Sequence, residues 1–117
     1  MALDFCVASS RPLDALQALM PVLADRPDSA SVQLLAGRAY LNSAQLTRAE
    51  EAFTRVLELD PADHYARFAL GKALQRQGRL AEAQAQYKMA AAMDPRPEYQ
   101  EALGKVRARL ALNKSEG

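Results

Sequence analysis

Pro27, Pro61 and Pro95 punctuate the chain at intervals of thirty-four residues, and each follows an apolar helical stretch that ends in a polar or acidic residue. A fixed period of this length constrains the fold more than any other feature. Each period is one supersecondary unit that cannot bury its apolar face alone, so the units must stack. Proline enforces the boundary because the residue before it is pushed out of the α region.

The period holds position by position. Ala36, Gly37 and Tyr40 recur as Leu70, Gly71 and Leu74; Leu46, Ala49, Phe53 and Val56 recur as Leu80, Ala83, Tyr87 and Ala90; Asp60-Pro61 recurs as Asp94-Pro95. These positions mark the tetratricopeptide repeat family, so residues 30–63 and 64–97 resemble two complete repeats. Upstream, Leu13, Ala15, Leu19, Val22 and Pro27 match the second half of a repeat, which makes residues 1–29 a partial copy with a short or degenerate first helix in residues 1–9. Downstream, Leu103-Gly104-Lys105 repeats Leu70-Gly71-Lys72 with one residue deleted after Pro95. Residues 98–112 are expected to form a closing helix and residues 113–117 a flexible tail. The resemblance implies an all-α, right-handed solenoid of antiparallel helix pairs and a single domain over residues 1–117.

Packing logic agrees with this reading. Glycine in a helix interior costs about 1 kcal/mol relative to alanine, so Gly37 and Gly71 need a reason to be there. Together with Ala49 and Ala83 they mark places where two helices approach closely. Tyr40, Phe53 and Leu57, and Leu74, Tyr87 and Leu80, are then expected to fill the space between helices. Ser29 and Asp63 are expected N-caps, Thr47 with Glu50 fits a capping box, and Gly78 falls in a turn. Pro21 lies inside the predicted helix 13–25, where it removes a hydrogen bond and is expected to kink the helix.

At 117 residues the chain has room for one domain, and half of it is hydrophobic. No stretch approaches the roughly 18 apolar residues of a membrane span, and the first residues lack a basic region followed by an apolar core. Cytoplasmic residence is therefore the expectation. Cys6, the single cysteine, reads as a small apolar residue of the first helix. His64, the single histidine, has no second histidine or cysteine with which to share a metal, so neither metal nor cofactor is expected. Asn113-Lys114-Ser115 is a chance match to a glycosylation triplet.

An enzyme is not expected either. Nucleophilic catalysis needs a base within reach of the nucleophile, and phosphate cradles need clustered glycines, whereas these glycines are scattered. Glu50 and Glu51 are adjacent on one helix and point in different directions. No small-molecule substrate follows from such a sequence.

Charge is distributed unevenly although the net is only +1. The first helices of the repeats lack acids: residues 30–47 contain Arg38 alone, and residues 64–81 contain Arg67, Lys72, Arg76 and Arg79. In the tetratricopeptide family the first helices line a concave groove, and the residue after the repeat glycine looks into it. The resemblance places Arg38, Lys72 and Lys105 there, with Asn42, Arg76 and Arg109 one turn later and Leu34, Phe68 and Glu101 one turn earlier. With Tyr65 adding apolar area, this implies an adaptor that binds an acidic or extended peptide segment in a basic groove. Related co-chaperones use a lysine-asparagine-asparagine-lysine-arginine clamp for a terminal carboxylate; Leu35 and Ala69 stand where asparagine is sought, so that clamp is not expected. The alternative is self-association into a homodimer through an exposed apolar end at Leu3, Phe5 and Val7. Nucleic acid is disfavoured, since the small net charge comes with no aromatic stacking set.

Overall fold

A computed structural model describes residues 12–116. Six helices and no strand are present among them. The chain divides between Pro61 and Ala62 into two compact units. Leu3, Phe5, Cys6 and Val7, with the short helix expected in residues 1–9, lie outside the described residues.

The first unit holds α1 (Pro12–Asp25), α2 (Ala30–Asn42) and α3 (Leu46–Leu59). Helix α1 continues as one helix through Pro21. Leu16 and Leu19 of α1 pack with Ala39 of α2, and half-buried Leu35 and Tyr40 flank them. Between α2 and α3 the missing side chain of Gly37 is replaced by the ring of Phe53: a Cβ on Gly37 would lie 2.5 Å from that ring. Phe53 and Val56 are fully buried, while Leu57 is half-buried.

The second unit repeats the arrangement with α4 (His64–Arg76) and α5 (Leu80–Met93), and adds α6 (Pro97–Glu116). Gly71 faces Tyr87 as Gly37 faces Phe53, again with 2.5 Å between a would-be Cβ and the ring. The core collects Ala66, Phe68, Leu70 and Leu74 from α4, Ala83, Tyr87 and Ala90 from α5, and Tyr99, Leu103 and Val106 from α6. Gly104 occupies the third glycine position, yet nothing lies within 4 Å of its would-be Cβ. Arg107 stands where Tyr40 and Leu74 stand in the earlier repeats and is exposed.

Local signals account for most boundaries. Ser29 accepts a hydrogen bond from the Val32 N–H at 3.3 Å, and Asp63 from the Ala66 N–H at 3.0 Å, as N-caps should. Gly78 turns the chain between α4 and α5 with φ +80°. The capping box expected at Thr47 is absent. Helix α3 begins at Leu46 with Gln45 as its cap residue and no side-chain cap bond. The turn decides this: Ala44 adopts φ 61°, and the Gln45 N–H donates to the Tyr40 carbonyl at 2.8 Å. Gln45 is thereby fixed as the first carbonyl of the helix, accepting from the Ala49 N–H at 2.9 Å. At the other end of the chain α6 runs to Glu116, so residues 113–116 are helical rather than the expected tail.

Candidate functional site

On α4, Lys72 lies four residues after Phe68 and is followed three and four residues later by Gln75 and Arg76, so the four share a face. On α6, Glu101 and Ala102 come three and four residues after Glu98, and Lys105 three and four residues after them, so these also share a face. These eight residues, with Tyr87 of α5, line a pocket of about 410 Å³. A second pocket of about 530 Å³ continues beyond it, sharing Gln75 and Lys105 and adding Gly78, Leu80, Arg109 and Asn113.

The floor is aromatic. Phe68, only 6% exposed, lies between Tyr99, with ring centroids 4.6 Å apart, and Tyr87, with centroids 5.6 Å apart. The Tyr87 hydroxyl donates to Oε1 of Gln75 at 2.6 Å, and burial pushes the Tyr87 phenol up to about 12. Burial also raises the Tyr99 phenol. Tyr99 is held at the start of α6 by His64, whose Nδ1 lies 2.8 Å from the Tyr99 hydroxyl. The other imidazole nitrogen, Nε2, meets the Asp94 carboxylate at 3.2 Å. Asp94 in turn accepts from Arg96 at 2.7 Å, and that guanidinium keeps the Asp94 carboxyl below its usual range, with His64 adding a smaller effect. His64 thus ties the start of α4 to α6 and to the cap residue that follows α5. No group of three or more metal-ligating side chains occurs among the described residues.

The walls carry charge of both signs. The Lys72 ammonium stands 5.0 Å above the Phe68 ring centroid, a cation–π placement worth about 0.5–1 kcal/mol at an exposed site. Lys105 pairs with Glu101 at 3.0 Å, one turn back on α6. Glu98 has a contact of 4.0 Å with Arg96. Arg109 extends the basic side into the second pocket.

Phe68, Lys72, Arg76, Lys105 and Arg109 come together in the second unit, with Phe68 as buried floor rather than exposed anchor. Tyr65 is 37% exposed and lines neither of these two pockets. Arg38 and Asn42 are exposed on α2 of the first unit and Leu34 is half-buried there. Sequence reasoning missed Glu98 and the pairing of Lys105. The latter was visible in the Glu101-to-Lys105 spacing, since oppositely charged residues four apart on a helix are neighbours.

Helix pairs locked by an aromatic ring against a glycine, and repeated along the chain, define a helical-repeat protein. The tetratricopeptide repeat model matches residues 7–64, 34–97 and 68–113, and the chain belongs to that family. Among solved structures it is similar to the second such domain of human RPAP3 in complex with the HSP70 peptide SGPTIEEVD (20% identity, 90% of this chain and 88% of that one, TM-score 0.83). It is also similar to the first domain of Spaghetti (RPAP3) bound to the HSP90 peptide SRMEEVD (18% identity, 93% and 87%, TM-score 0.87). A mutant of MamA matches at 25% identity, covering 97% of this chain and 69% of that one with a TM-score of 0.78. No match was found among curated proteins.

Proposed function

We propose that the protein is an interaction adaptor whose second unit receives an extended peptide segment along the face of α4 and α6, with acidic groups of the peptide meeting Lys72, Lys105 and Arg109. The observation that carries this reading is the two contiguous pockets, the first floored by the buried rings of Phe68 and Tyr87 and both edged by those cations. An aromatic floor supplies desolvated contact area, which is where binding energy concentrates. The cations contribute specificity and association rate. Similar folds hold peptides with consecutive acids, SGPTIEEVD and SRMEEVD, which supports the chemistry of the ligand.

The test is binding of fluorescent acidic peptides to the unaltered protein and to a variant carrying Lys72→Glu and Arg109→Glu. Reversing two exposed cations should weaken binding at least tenfold, about 1.4 kcal/mol, and binding to the unaltered protein should weaken with added salt. Equal affinity of the two proteins for every acidic peptide would remove these cations from the site.

A further inference from the structure

Gln75 and Lys105 are common to both pockets. Lys105 is engaged with Glu101, whereas only half of the exposed Gln75 carboxamide is engaged. Its Oε1 accepts from the Tyr87 hydroxyl at 2.6 Å, a length that fits O–H···O bonding at about 2.7–2.8 Å better than N–H···O bonding at about 2.9–3.0 Å. Its Nε2 makes no bond to any described residue. Gln77 shows the alternative open to a glutamine at this end of the helix, donating its Nε2 to the Ala73 carbonyl at 3.2 Å. Gln75 instead gives its oxygen to Tyr87 and keeps two N–H donors at the junction of the pockets. Packing does not require this pair. Phe53 seats against Gly37 at the same 2.5 Å as Tyr87 against Gly71, without a hydroxyl, and Leu41 and Ala108 hold the Gln75 position in the other copies.

We infer that Gln75, on the peptide-binding face proposed above, donates to a main-chain carbonyl of the bound segment, and that Tyr87 positions it to do so. Acidic side chains are drawn to the cations, which offer charge-assisted bonds. A neutral N–H2 suits the neutral carbonyls of the main chain. An extended segment carries a carbonyl about every 3.3 Å, so a fixed donor finds one whatever the sequence. A helical segment spends its carbonyls on its own bonds. The Gln75 contact thus sets the register of an extended chain along α4 without reading its side chains, and leaves the choice of acids to the cations.

Amide chemical-shift titration tests this with a peptide of alanine and serine around Glu-Glu, and with analogues in which one peptide bond at a time is an ester. An ester carbonyl is the weaker acceptor, so replacement at the recognised carbonyl should weaken binding to the unaltered protein about threefold, within the worth of one neutral hydrogen bond. Gln75→Met should weaken the all-amide peptide at least as much and abolish the effect of that ester. The side-chain N–H2 resonances of Gln75 should shift as the peptide binds, and Tyr87→Phe, which leaves the carboxamide free to turn, should shrink the ester effect. Should Gln75→Met fail to fold because the buried Tyr87 hydroxyl has lost its acceptor, Gln75→Met combined with Tyr87→Phe takes its place. If every ester acts alike on the unaltered protein and the Gln75 variant, or the Gln75 N–H2 resonances stay still, the main-chain contact is wrong while the peptide-binding reading stands. An ester effect undiminished in Tyr87→Phe removes the positioning role. If the all-amide peptide leaves the amides of Lys72 and Lys105 unmoved, both readings fail.

Discussion

One repeat position is glycine three times, at Gly37, Gly71 and Gly104, yet its physics differs. At Gly71 a methyl group would meet the Tyr87 ring at 2.5 Å, whereas at Gly104 it would meet nothing within 4 Å. Alanine gains about 1 kcal/mol of helix propensity over glycine in either place, and overpacking a filled core costs about 1–3 kcal/mol. Gly71→Ala should therefore lower the urea midpoint and Gly104→Ala should raise it. Ala44 is the converse case. Its φ of 61° is strained for any residue with a Cβ, by about 1–2 kcal/mol, and the matching turn in the next repeat uses Gly78. Ala44→Gly should stabilise the protein, by roughly 0.5 kcal/mol or more after the added flexibility of the unfolded chain is counted. A lower melting temperature for this variant would show that the left-handed turn is not the stable conformation.

Helix starts differ in how much the sequence reveals about them. Ser29 and Asp63 cap α2 and α4 through their own side chains, so the residue type announces the boundary. Helices α3 and α5 start from Gln45 and Arg79 without side-chain caps. There the preceding turn sets the start, and Thr47 only imitates a cap. Ser29→Ala and Asp63→Ala should each cost about 1 kcal/mol in equilibrium unfolding, and Thr47→Ala should change stability little. A loss at Thr47 equal to that at Ser29 would restore the capping box. The length of α6 was legible only in part. The glycine register placed its first turns, but nothing periodic marks an end at Leu112, and Asn113 to Glu116 contain no proline or glycine to stop it.

Most of the fold could be read from the sequence because the thirty-four-residue period fixes which residues face inward. The site was half legible for the same reason. Repeat register gives which side a cation occupies, but pairing between elements, as between His64 and Asp94, depends on side-chain reach that no period encodes. The phenols of the core make stability depend on alkaline pH. A tyrosine ionises near pH 10 when unfolded, while folded Tyr87 holds its proton to about 12. Below pH 10 both states are protonated and the folded state keeps the full benefit. Between pH 10 and 12 the unfolded chain releases a proton that the folded chain retains, so unfolding becomes progressively easier, by on the order of 2 kcal/mol across the interval. Replacing Tyr87 with Phe removes this titration together with the 2.6 Å bond to Gln75. Tyr87→Phe should lower stability at neutral pH and flatten the decline above pH 10, the comparison with the unaltered protein cancelling the titration of lysines and the other tyrosines. Parallel curves for the two proteins between pH 9.5 and 11.5 would show that the Tyr87 hydroxyl ionises in the folded state as freely as in water, and would contradict its burial beneath the pocket.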